Sequence, residues 1–177
     1  MATNSIRVFR GFDLSHPTPL SPCQYGEWGT GIYFSTSHEC AAAYSSEVVI
    51  ECIVNLNNPL CTTAEYNDKL IEELDYEAAS LGFVSELFDG KRCIKELISH
   101  ARQSNELGLF GPEINNEVRS KGHDGIMAKW ADGSHHIICF QPESIVCIKN
   151  IYLRGELLGG SKYDDLLSNI LEAQAQS

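Results

Sequence analysis

The chain has 177 residues and a formal net charge of −11, with 24 acidic against 13 basic side chains. Its length suits one domain with a sizeable core, while the acidic balance argues against a nucleic-acid-binding surface, which needs a basic stripe. No apolar run approaches the roughly 20 residues that span a bilayer.

In chain order, Ile6-Arg7-Val8-Phe9-Arg10-Gly11-Phe12 predicts a strand with Val8 and Arg10 on one face and Arg7 and Phe9 on the other. Residues 13–28 read as a loop, since Pro17, Pro19 and Pro22 interrupt regular structure. That loop is either a flap over a ligand or a plain surface connection. Gly29-Thr30-Gly31-Ile32-Tyr33-Phe34-Ser35-Thr36 is a Gly-rich approach to a short apolar strand, and the glycines let backbone approach a ligand closely. Ser37 then caps a helix of small residues, Cys40-Ala41-Ala42-Ala43, that ends at Tyr44. Tyr44 follows Tyr33 by eleven residues, enough for the helix to return it beside the strand so that two aromatic faces flank one planar ring. The plainer reading is a core strand packed on an Ala-rich helix.

Val48, Val49, Ile50, Cys52, Ile53, Val54 and Leu56, broken by Glu51, predict a long central strand over 47–56. Residues 62–121 read as a helical insertion. A capping box at Thr62-x-x-Glu65 opens one helix that runs to Gly82. A second spans about 91–103, and a third begins near Pro112 and runs through Ile114 and Val118 to Gly122. Their acidic residues predict a solvated face or a docking surface for a basic partner. Gly122-His123-Asp124-Gly125-Ile126-Met127 opens a strand, Ala131-Asp132-Gly133-Ser134 is a hairpin turn, and His135-His136-Ile137-Ile138-Cys139-Phe140 pairs back. A last strand covers 145–152. Residues 156–177 form a helical appendage to a domain of residues 1–155. The seven cysteines are odd in number and hold no Cys-x-x-Cys pair, which argues against zinc and for a reducing compartment. The N-terminus lacks a signal-peptide pattern.

The Gly29-to-Tyr44 stretch resembles the nicotinamide-binding segment of the poly(ADP-ribose) polymerases and their mono-ADP-ribosyltransferase relatives. There a Gly-x-Gly-Ile-Tyr-Phe strand precedes a small-residue helix that ends in a second Tyr, and the two tyrosines sandwich the nicotinamide of NAD. Gly122 to Ile145 is similar to the C-terminal half of small bacterial and phage ADP-ribosyltransferase domains. The resemblance covers roughly residues 6–60 and 118–150. It implies an α+β fold of split antiparallel sheets around an NAD cleft. Arg10, Gly11, Thr30, Gly31, Tyr33, Phe34, Ser35 and Tyr44 would bind NAD, Arg10 through ribose or phosphate and Gly11 through its backbone. The implied activity is transfer of ADP-ribose to a protein acceptor, without a metal, by an effector, toxin or phage protein acting in the cytoplasm or in a host cytosol.

One position departs from the family. Where the resemblance implies a glutamate that stabilises the cationic sugar, this chain has His136. A neutral imidazole accepts one hydrogen bond but brings no negative charge. Tyr33, Asp124 and His136 are the candidate catalytic residues. Either His136 serves, or Asp124 supplies the acid, with Asp132 at the turn a weaker candidate, or the fold persists without transfer. The competing functions are an NAD or ADP-ribose reader, an NAD glycohydrolase, and an adaptor that binds a partner through acidic helices.

Overall fold

The computed structural model describes residues 5–23, 30–63, 111–130 and 132–175. The first two helices expected of the insertion, at 62–82 and 91–103, lie outside them, apart from Thr62 and Thr63. Among the described residues the chain is α+β. The strands are β1 (Ser5–Phe12), β2 (Ile32–Ser35), β3 (Val48–Asn55), β4 (Leu60–Thr63), β5 (Gly125–Lys129), β6 (His135–Cys139), β7 (Ile145–Leu153) and β8 (Glu156–Leu157). They form one sheet in the order β4-β5-β6-β2-β1-β3-β7-β8. Every neighbouring pair is antiparallel except β4 with β5. The helices are α1 (His38–Tyr44), α2 (Gly111–Ser120) and α3 (Ser161–Ala175), and none is long and apolar enough to cross a membrane.

The seam between β1 and β2 is uneven. β1 pairs with β3 along its length, from Ser5↔Asn55 to Phe12↔Val48, but with β2 only at Phe9↔Ser35. The sheet is therefore continuous, yet two halves meet at one register pair.

Alternation assigns the faces. Val8, Phe12, Ile32, Phe34, Val48, Ile50, Cys52, Ile137, Cys139 and Ile151 form the main core, and α3 closes it with Ile170, Leu166 and Leu167. Burying each such aliphatic side chain stabilises the fold by about 1.5–3 kcal/mol. On the opposite face α1 packs Ala41 and Ala42 onto Phe9, Val49 and Tyr152. That face also holds Glu51, which is 6% exposed. Its carboxylate accepts bonds from Arg7 Nε at 2.7 Å, Asn150 Nδ2 at 2.9 Å and Tyr152 Oη at 3.5 Å. The Arg7 bond, foremost, holds that carboxyl below the usual carboxylate range.

The structure corrects the expected helix start at Thr62. Thr62 and Thr63 continue β4 and lie opposite Ala128 and Lys129 of β5. Strand pairing with a distant segment overrides a local capping signal.

Candidate functional site

β2 is four residues long and leaves only Tyr33 and Ser35 pointing to the α1 face, because Ile32 and Phe34 are buried in the main core. In the β2–β6 ladder Ser35 lies opposite His136 and Tyr33 opposite Ile138. Tyr33 and His136 are thus diagonal neighbours on one face, within reach of long side chains. Helix α1 brings in Tyr44. The Ser37 side chain caps it by accepting from Cys40 N at 3.2 Å, and Ala41 is buried. The helix lies close against β1 at Gly11, where a Cβ would come within 2.2 Å of Ala41 O and 2.5 Å of Ser45 O. Tyr44 ends 73% exposed, its ring centroid 6.2 Å from that of His136.

The centre of this group is His136. It is 8% exposed, and no hydrogen bond engages its ring nitrogens among the described residues. Burial pushes its imidazole below the usual histidine value, against a smaller opposing pull from Asp132. A neutral imidazole offers one donor and one acceptor. Here both are unused beside two aromatic rings, Tyr44 and Trp130, the latter at 4.4 Å.

Beside it, the β1–β2 ladder stops. Continued past Phe9↔Ser35 it would pair Gly11 with Tyr33, but it does not. Instead Arg10 reaches across. Its Nη1 donates to Tyr33 O at 2.8 Å and its Nε to Pro19 O at 2.6 Å. Farther along, Cys23 bridges to Gly31 with N–O distances of 2.7 and 3.1 Å. The unladdered stretch between Gly11 and Tyr33 adjoins the strand that carries Tyr33.

Several expected site residues are placed differently. Arg10 shares the core face with Val8 and Phe12, opposite the tyrosine side chain. Burial also lowers its pKa from the usual guanidinium value. Phe34 is 3% exposed and belongs to the core, which corrects its assignment to a cofactor surface. Asp124 locks a turn: its carboxylate accepts from Asn57 N at 2.5 Å and Asn58 N at 3.1 Å. It precedes Gly125, which pairs with Cys139, whereas His136 pairs with Ala128 at the other end of the hairpin. The two candidate residues therefore stand at opposite ends of the hairpin. Gly31 has a packing reason, since a Cβ there would lie 2.3 Å from Ile138 Cγ2. Ser35, 2% exposed, accepts from Ser37 N at 3.1 Å. Thr30 O accepts from Asn115 Nδ2 of α2 at 2.8 Å.

Asp132 is the acidic residue whose charge reaches His136. Its carboxylate accepts from Ser134 Oγ at 2.6 Å and Ser134 N at 2.8 Å, bonds that hold it below the usual carboxylate range. The hairpin tip also meets α1 at Cys40, with Sγ 3.7 Å from Asp132 Oδ2. Two residues of this region escape the sequence reading. Trp130 was legible in principle: with Ala128 opposite His136, Trp130 is the next residue on that face. Asn115 carries no local signal, since only the placement of α2 brings it to Thr30.

No protein-family model matches the sequence, and no curated protein does. A crystal structure of an anti-CRISPR protein is similar at a TM-score of 0.38 and 15% sequence identity, over 78% of this chain and 91% of that one. Likeness at this level assigns neither fold family nor function.

Proposed function

We propose that the chain is a mono-ADP-ribosyltransferase that binds NAD, releases nicotinamide and passes ADP-ribose to a protein acceptor. One observation carries the reading: the His136 imidazole is grouped with Tyr33 and Tyr44 on one sheet face, beside the point where the β1–β2 ladder stops. The single register pair at that seam supports the split-sheet arrangement of the ADP-ribosyltransferase superfamily. In this reading the nicotinamide ring lies between the two tyrosines, and Gly11 offers backbone to its amide. His136 accepts a hydrogen bond from the nicotinamide ribose. The bond between the anomeric carbon and the nicotinamide nitrogen breaks with its electron pair going to nicotinamide. An acceptor nucleophile then bonds to that carbon and loses its proton to solvent. Positioning and the surrounding electrostatics lower the barrier.

A second reading has its own support. His136 is neutral and gives no charge to an oxocarbenium-like centre, which favours a catalytically weak NAD or ADP-ribose reader. Incubation with NAD labelled in the adenylate, together with cell lysate, separates the two. Label on protein is the expected result. Free ADP-ribose alone would instead indicate a glycohydrolase, binding without turnover a reader, and absence of NAD binding would remove the proposal.

A further inference from the structure

The role of Arg10 differs from that of a phosphate anchor, and the inference rests on the functional reading above only for its ligand. We propose that Arg10 is a positioning residue that takes the place of the missing β1–β2 ladder, holding the Tyr33 peptide and tying the Pro19 segment to it. Past Phe9↔Ser35, the β1-facing edge of β2 has no strand partner among the described residues until Cys23 meets Gly31. Tyr33 lies between these two points, and its carbonyl accepts from Arg10 Nη1 at 2.8 Å. A second arm of the same guanidinium, Nε, donates to Pro19 O at 2.6 Å. A planar fork can make both bonds at fixed angles, whereas an ammonium is a compact point charge. Arg10 also projects from the core face of β1, while the tyrosine side chain projects from the other. Arg10 therefore acts on the Tyr33 ring through the backbone. Both bonds run to carbonyl oxygens, and the ion pairs among the described residues do not include Arg10.

The test compares wild type with Arg10→Lys, which keeps the charge and removes the fork, and measures affinity for NAD, nicotinamide and ADP-ribose. A positioning residue predicts a loss of about tenfold for NAD and nicotinamide alike, the size of one charge-assisted hydrogen bond, with ADP-ribose affinity unchanged. A phosphate anchor predicts the reverse: Lys retains most NAD affinity, nicotinamide is unaffected, and Arg10→Gln loses ADP-ribose. That reverse pattern, or no change at all in Arg10→Lys, would overturn the inference. If wild type binds none of the three ligands, the functional reading fails. Hydrogen exchange then decides the Arg10 role separately. Arg10→Lys is expected to speed amide exchange in residues 31–35 and 19–23, and unchanged protection in both segments would refute it.

Discussion

Substituting Gly11 by alanine tests how the site is assembled, independently of any ligand. A Cβ at Gly11 would lie 2.2 Å from Ala41 O and 2.5 Å from Ser45 O, both backbone atoms of α1 and its C-cap. Since Cβ contacts below 3.0 Å essentially never occur, α1 must retreat by at least 0.8 Å. Neither oxygen can rotate away as a side chain would, so the cost lies toward the top of the overpacking range, about 3 kcal/mol. The stiffer unfolded chain returns about 0.4–1 kcal/mol, leaving roughly 2 kcal/mol of destabilisation. For a domain of this size that lowers the melting temperature by about 4–8 °C. Thermal melts followed by circular dichroism, with urea midpoints as a second measure, check this. Gly133→Ala is the control: Gly133 has φ 85° and nothing within 4 Å of the methyl that alanine would add, so only the left-handed backbone costs, about 1–2 kcal/mol. Because α1 carries Tyr44, the Gly11 variant should also lose ligand affinity, whereas Gly133→Ala should not. A Gly11→Ala protein that melts at or above the wild-type temperature would refute the close packing of α1 on β1.

Three further outcomes follow from the geometry. Asp124→Asn is expected to lower stability by about 1–2 kcal/mol, since the neutral amide accepts less well from Asn57 and Asn58, while leaving any turnover intact; loss of turnover in a fully stable variant would return Asp124 to the site. His136 contributes a pH dependence of defined sign: its folded-state pKa is depressed, so below about 6.5 the unfolded chain takes up a proton that the fold resists. Stability should therefore fall as pH drops from about 6.5 toward that depressed value, and His136→Gln should flatten this part of the curve; an identical curve would show that the ring is not held neutral. Burial pushes the Cys52 and Cys139 thiols up to about 12, so a thiol reagent at about pH 8 should label exposed Cys61 in the native protein and those two only after unfolding.

The strands and helix around the candidate site were legible because their patterns are local. Val8, Arg10 and Phe12 alternate with Phe9, Ser37 caps a run of alanines, and Asp132-Gly133 marks the hairpin, with Gly133 at φ 85°. β4 was not legible: Leu60–Thr63 gains its strand character from β5, more than sixty residues away. The two-residue β8 is too short to carry a period. Alternation correctly paired Arg10 with Val8, but the side of the sheet on which Tyr33 stands depends on the β2 register, which no local pattern specifies. The family resemblance therefore placed arginine and tyrosine together where the pleat separates them. The partners of Asp124 were not legible for a related reason, since the Asn57 and Asn58 amides lie at the end of a distant strand.

The most direct measurement is a titration of NAD into wild type and Tyr33→Ala, read by calorimetry, with melting temperatures taken on both. Stacking on one aromatic face is worth about 1–2 kcal/mol, so wild type is expected to bind NAD and the variant to lose roughly 5–30-fold in affinity. Wild type that fails to bind NAD, or an alanine variant that binds it equally well, would mean that Tyr33 does not line a nicotinamide site.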